Sequence, residues 1–158
     1  YVTVSTIPRK RYTYYLTPHG FTEKSRLTYR HLQNFTTLYR VARRDFRNLF
    51  MKLSGSGPKR IAFCGIDEVT EIAYLSLKET GLELAAIFDA EPSKKGFLGY
   101  EILGFDDIKR IDPDMIVITS FKSDDVLKGA LLEAGVDATK ICSIGSGGWL
   151  KKIEGPAI

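Results

Sequence analysis

From residue 60 onward, short apolar runs alternate with stretches in which apolar positions recur every three or four residues. Residues 60–64 (RIAFC), 82–88 and 115–119 are continuous apolar runs, the pattern of strands buried on both faces. Residues 100–103 and 141–144 read as two further strands. Between them, residues 69–80 turn Ile72, Ala73, Leu75 and Leu77 to one side of a helix. Residues 105–111 suit a short helix and residues 124–134 a longer one. Strands alternating with helices predict a parallel sheet with right-handed crossovers.

The first fifty residues follow a different rhythm. Residues 1–6 and 12–16 favour strands around a short basic connection, which predicts a hairpin. Thr17 suits a helix N-cap, and Pro18 suits the first helical position because its missing N–H would be unpaired there. Beyond it, apolar residues fall at Leu32, Phe35, Tyr39, Ala42, Phe46, Leu49 and Leu53, alternating spacings of three and four. That heptad seam wants a partner helix. A helix over residues 21–53 would be about 50 Å long. The simplest way to cover its seam is self-association as a homodimer; the alternative is packing on the second domain of the same chain. Ser54-Gly55-Ser56-Gly57-Pro58 has the composition of a flexible joint.

Charge divides at the same place. Residues 1–54 carry 11 Lys or Arg against Glu23 and Asp45, a net of +9, whereas residues 55–158 carry 12 against 17, a net of −5. A positive block suits phosphate backbones. A hydrophobic content of 44% is ample for a packed core. No run approaches the roughly 18 apolar residues of a membrane span. Cys64 and Cys142 sit in strand-like runs without redox or metal spacing, as small buried hydrophobes do. These features predict a cytoplasmic protein that does not enter membranes. The opening Tyr1-Val2-Thr3-Val4-Ser5 alternates like a strand without a Met, and suggests the C-terminal piece of a longer polypeptide.

In an open parallel sheet, ligands sit at the carboxyl ends of the strands near the reversal of strand order. The residues there are Gly65, Asp89 with Ala90, and Thr119 with Ser120. Gly65 and Asp89 are 24 residues apart, the separation of a fingerprint glycine from a ribose-binding acid. The loop Gly65-Ile66-Asp67-Glu68-Val69 keeps only the first fingerprint glycine. Asp67 and Glu68 put negative charge where a pyrophosphate would approach, although acids there also complement the helix dipole. The cofactor stays open between NAD(P) and a nucleotide sugar. His19 and His31 are the only histidines, and Asp106-Asp107 and Asp124-Asp125 fit helix starts better than acid–base work. No catalytic or metal-ligating set stands out, which favours a non-enzymatic role.

The stretch Tyr14-Tyr15-Leu16-Thr17-Pro18-His19-Gly20-Phe21-Thr22-Glu23-Lys24-Ser25-Arg26-Leu27-Thr28 resembles the C-terminal segment of MarR-like winged-helix regulators, in the branch associated with exopolysaccharide genes. His19 stands where that family usually has Lys. The resemblance, over roughly residues 1–50, implies that Arg9, Lys10 and Arg11 form the wing, reaching phosphate or the minor groove of DNA. The recognition helix of such proteins precedes the wing, so base-specific reading would not come from these residues alone.

Residues 59–145 carry a second resemblance. Phe63-Cys64-Gly65, Glu71-Ile72-Ala73, Ile87-Phe88-Asp89-Ala90-Glu91-Pro92-Ser93-Lys94-Lys95-Gly96 and Tyr100-Glu101-Ile102-Leu103-Gly104 look like the Rossmann-like N-terminal domain of bacterial sugar-nucleotide epimerase/dehydratases and polysaccharide-pathway sugar acyltransferases. The resemblance implies a nucleotide-ligand site at Gly65, Asp67, Glu68, Asp89, Thr119 and Ser120.

Together these readings give an α/β chain: a wing hairpin and dimerisation helix (1–54), a linker (55–58), a Rossmann-like nucleotide-binding domain (59–150) and a tail (151–158). They predict a DNA-binding regulator with a ligand-sensing domain, tied to surface polysaccharide biosynthesis. The alternatives are a sugar-nucleotide-modifying enzyme module whose helix only oligomerises, and a ligand-free dimerisation scaffold. The scaffold is favoured if the first loop fills its own pocket with Asp67 or Glu68.

Overall fold

A computed structural model describes residues 2–7, 11–120 and 122–144, with side chains from residue 17 onward. The chain forms two compact units, Tyr1–Thr37 and Leu38–Ile158. In the first, β1 (Val2–Ile7) and β2 (Arg11–Leu16) pair antiparallel from Val2 opposite Leu16 to Ile7 opposite Arg11. The hairpin leads into α1, Pro18–Ser54, whose first 20 residues belong to this unit. Thr17 caps the helix as anticipated: its Oγ1 accepts from the Gly20 N–H at 3.1 Å and its carbonyl from the Phe21 N–H at 2.8 Å. Thr22, Thr28, Thr36 and Thr37 each return a hydroxyl proton to the carbonyl four residues back, which lets β-branched polar residues sit inside a helix. Phe21, Leu27, Tyr29, Leu32 and Phe35 are exposed on this part of α1.

The second unit is a six-stranded, mostly parallel sheet with helices on both faces. Its elements are β3 (Arg60–Cys64), α2 (Glu68–Lys78), β4 (Glu83–Phe88), β5 (Ser93–Phe97), β6 (Tyr100–Leu103), α3 (Ile108–Ile111), β7 (Met115–Ile118), α4 (Asp124–Glu133) and β8 (Ile141–Cys142). The order is β5-β6-β4-β3-β7-β8, parallel throughout except for β5. The parallel strands alone follow the 3-2-1-4-5 order of a doubly wound sheet. The parallel sheet expected from sequence therefore has one antiparallel edge strand. Polar Ser93-Lys94-Lys95 hid it; Leu98 and Gly99, both at positive φ, make the tight turn into β6.

Two clusters line the sheet. Ile61, Phe63, Leu84, Ile87 and Val117 face α2, while Ala62, Cys64, Ala86, Phe88, Ile116 and Ile118 face the α3 and α4 side. A bulge between Ile61 and Ala62 in the β3–β4 pairing leaves Ala85 unopposed, so that Leu84 and Ala86 point to opposite faces. In α2, Ile72, Ala73 and Leu77 are buried as expected, but Leu75 is exposed because the helical stripe passes through Val69, Ile72, Ala73, Ser76 and Leu77.

The proposed dimer seam divides. Ala42 and Phe46 are wholly buried in the core of this second unit, with Phe50, and Leu49 and Leu53 pack partly against it. Phe46 stacks on Phe50 at 5.9 Å between ring centres, and Phe50 on Phe63 at 6.1 Å. The last four turns of α1 are thus a core helix of the α/β unit, which corrects their assignment to a dimer interface. Leu32, Phe35 and Tyr39 remain exposed. The division between compact units accordingly falls inside α1, at Thr37/Leu38. Residues 55–58 are a turn joining α1 to β3 within one unit: the Gly55 N–H donates to the Met51 carbonyl and the Ser56 N–H to that of Leu53.

Candidate functional site

The order of strands reverses at β3, which has β4 on one side and β7 on the other. The carboxyl ends of β3 and β7 flank the crevice where doubly wound sheets hold ligands. Sequence placed Gly65, Asp67, Glu68, Thr119 and Ser120 here, and the structure brings them together.

Gly65 leaves β3 at φ +87°, a left-handed conformation that favours glycine. A Cβ on it would lie 2.4 Å from Leu127 Cδ1 and 2.8 Å from Ser120 Cβ. The first loop therefore lies directly against the segment after β7. Thr119, fully buried, donates its hydroxyl to the Gly65 carbonyl at 2.7 Å, and buried Thr70 donates to the Thr119 carbonyl at 3.1 Å. These bonds stitch the two sides of the crevice at its floor.

A helix cap and an exposed ion pair stand at the mouth. Asp67 is the N-cap of α2: its Oδ1 accepts from the Val69 N–H at 2.9 Å, and the Asp67 N–H donates back to Thr70 Oγ1 at 2.9 Å. This is a capping box with Thr70 at its third helical position. Glu68 accepts from its own backbone N–H and from Lys122 Nζ, at 3.1 and 3.3 Å to its two oxygens. The backbone bond and the Lys122 ammonium hold its carboxyl below the usual carboxylate range. Of the donors that a fingerprint loop offers to a pyrophosphate, the Glu68 and Val69 N–H groups are engaged by the chain's own carboxylates, and those of Gly65 and Thr70 by the Phe88 and Asp67 carbonyls. Val69 is buried and Ile66 half-buried against the α2-side core.

Asp89 follows β4. Its N–H donates to the Leu103 carbonyl at 3.0 Å and its Oδ1 accepts from the Glu91 N–H at 3.1 Å. The carboxylate is half-buried and shapes the turn into β5, with Ala90 exposed beside it. Burial pushes the Cys64 thiol up to about 12, with the Asp89 charge adding to it, so Cys64 is a core thiol and not a nucleophile. At the opposite end of the sheet, a cavity of about 200 Å³ lies among Ile108, Asp112, Ile116, Val136 and Lys140.

Arg9 and Lys10, two of the three wing residues, lie outside the described residues, and Arg11 opens β2. Three participants were not singled out from sequence: Phe50, Thr70 and Lys122. Phe50 continues the four-residue spacing Ala42–Phe46–Phe50, and Asp67 is a favoured N-cap residue, but Thr70 stands where the usual capping-box signature has Glu or Gln. Nothing local marks Lys122 as the partner of Glu68, because that pairing is made by the sheet.

Fold and site together define an α/β domain of doubly wound strand order whose switch-point loop is capped from within. Residues 57–142 match the protein family described as C2185-like, N-terminal, and the chain belongs to that family. No curated protein matches it. No described helix is long and apolar enough to cross a membrane.

Proposed function

We propose that this chain belongs to a winged-helix transcription regulator acting in surface polysaccharide biosynthesis. Arg9, Lys10 and Arg11 contact DNA as a wing, and the Rossmann-like unit acts as the sensing domain. One observation carries this reading: a single helix, α1, begins at the basic hairpin and ends as a core element of the α/β unit. A change of packing around Phe46 or Phe50 acts on the same helix that follows the wing. The charge excess of residues 1–54 supports contact with phosphate.

The closed first loop bears on the ligand. A ligand docking a pyrophosphate at the α2 N-terminus, whether NAD(P) or a nucleotide sugar, would have to displace the Asp67 cap and the Lys122–Glu68 pair, so either would seat its diphosphate away from that terminus. The same closed loop also favours a second reading, in which the domain is a ligand-free scaffold.

Two measurements test this. Fluorescence anisotropy with labelled duplex DNA should show binding that weakens in the Arg9→Ala/Lys10→Ala/Arg11→Ala variant. A thermal-shift panel of NAD(H), NADP(H), coenzyme A and UDP-, GDP- and dTDP-sugars should give a shift with one nucleotide sugar, lost in Asp89→Ala. DNA binding without any shift would select the scaffold. Absence of DNA binding would overturn the regulator reading.

A further inference from the structure

The buried face of α1 in the second unit is set by Ala42, Phe46 and Phe50, which fixes what points the other way. At 100° per residue, Arg44 lies about 160° from the centre of that face, Arg40 about 120° and Arg47 about 100°, so the three share the side turned away from the core. All three are exposed. Residues 38–54 hold five Lys or Arg (Arg40, Arg43, Arg44, Arg47 and Lys52) against one acid, Asp45. Arg43 lies to the side and pairs with Glu79 at the end of α2, a contact internal to the unit. Asp45 pairs with its neighbour Arg44 at 3.1 Å. Among the described residues, Arg40 and Arg47 make no ion pair.

Like charges three and four apart on a helix repel, and a face kept only for solubility is better served by mixed signs. Here the cations form a row about 10 Å long on a rigid, core-anchored helix. Arginine is also the cation whose planar donor fork matches phosphate oxygens. The rest of the unit, residues 55–158, carries a net of −5, so the row is a local feature and not part of a generally basic surface.

We infer that Arg40, Arg44 and Arg47 form a second DNA-backbone contact, on the α/β unit and separate from the wing. The partner is duplex DNA, recognised through phosphate charge and without base reading. The inference deepens the regulator reading and rests on it: the α/β unit itself touches DNA, so its position on the duplex is part of the regulatory output.

The test uses the full chain and a fluorescein-labelled 30-base-pair duplex of arbitrary sequence, with affinity measured from 50 to 200 mM salt. Each phosphate contact contributes about 0.9 to the slope of log K against log salt. The Arg40→Gln/Arg44→Gln/Arg47→Gln variant should lower that slope by about 2.7. That difference amounts to about a 40-fold change across the salt range. The corresponding triple Lys variant should keep most of the slope, and circular dichroism should show all variants equally folded. The inference is overturned if the Gln variant binds like the parent while the wing variant loses binding; the regulator reading then stands. If the chain does not bind the duplex at all, both fall. Vesicles of phosphatidylcholine and phosphatidylglycerol serve as the other polyanion. Arginine-dependent binding to vesicles without binding to duplex would overturn the inference in favour of a membrane surface.

Discussion

Phe46→Ala separates the two ways in which the α1 seam can be satisfied. Phe46 is 1% exposed, stacked on Phe50, and part of a cluster that includes Phe63 and Val117. Truncating a buried phenylalanine to alanine costs about 3–5 kcal/mol from lost transfer energy and the cavity left behind. At an m-value near 2 kcal/mol/M, that lowers the urea midpoint by about 2 M. Because the contact lies within one chain, the loss should be the same at protein concentrations tenfold apart. Leu32→Ala removes an exposed side chain of the same seam and should change stability by no more than about 0.5 kcal/mol in the monomer. The assay is urea unfolding followed by circular dichroism at both concentrations, with Phe46→Leu as a milder variant should the alanine variant not fold. An Ala cost under about 1 kcal/mol would refute the intramolecular assignment. So would a cost that shrinks on dilution, since an interface between copies makes stability concentration-dependent.

Three further outcomes follow from the site and its surroundings. Gly65→Ala should cost more than about 2 kcal/mol, through its positive φ and overpacking against Ser120 and Leu127; thermal unfolding checks it, and the double variant with Leu127→Ala should lose less than the sum of the two single losses. Asp67→Ala should cost about 1 kcal/mol by removing the α2 cap, and Asp67→Asn much less, so equal losses in a urea titration would argue against the cap. Asp114 accepts from the Arg60 and Lys59 N–H groups, which hold its carboxyl below the usual carboxylate range. A carboxyl lowered in the folded state stabilises above its unfolded value, and that contribution is lost as pH falls through the folded one. The acid limb of a stability-versus-pH curve should therefore flatten in Asp114→Asn, and an unchanged limb would count against it.

The α/β half was largely legible because its strands are short apolar runs and its helices periodic. Residues 60–64 and 100–103 were placed to the residue, and the other expected elements within about three residues. Strand β5 was missed because an edge strand with one solvated side needs no apolar run, and Ser93-Lys94-Lys95 reads as a loop. The lower half of the α1 seam was misassigned because periodicity shows that a face wants burial but not which surface covers it. Ala42, Phe46 and Phe50 step by four, closer to the 3.6-residue turn of a core helix than to a sustained 3.5 repeat. The candidate site was legible as a place, through the strand ends, but not as a state. Whether Asp67 and Glu68 receive a ligand or satisfy their own helix depends on Thr70 and on Lys122, 54 residues beyond Glu68.

On the proposed regulator reading, helix α1 constrains how sensing and DNA contact would be joined. A ligand that stabilises the α/β unit also stabilises residues 38–54 of the helix, because Ala42, Phe46 and Phe50 are part of that core. Stabilisation alone shifts nothing at the wing: a ligand moves an equilibrium only by its difference in affinity between two arrangements. Coupling is therefore measurable as a reciprocity. If a nucleotide sugar tightens or weakens duplex binding by some factor, saturating duplex must change the affinity for that sugar by the same factor. If Arg40, Arg44 and Arg47 contact DNA as proposed, the α/β unit is one of the surfaces on which that difference can arise, since a ligand that alters the packing of Phe46 acts on the helix carrying the arginines. Removing the arginine row should then reduce the coupling factor as well as the salt slope. Loss of the slope with an unchanged factor would place the coupling elsewhere on the helix.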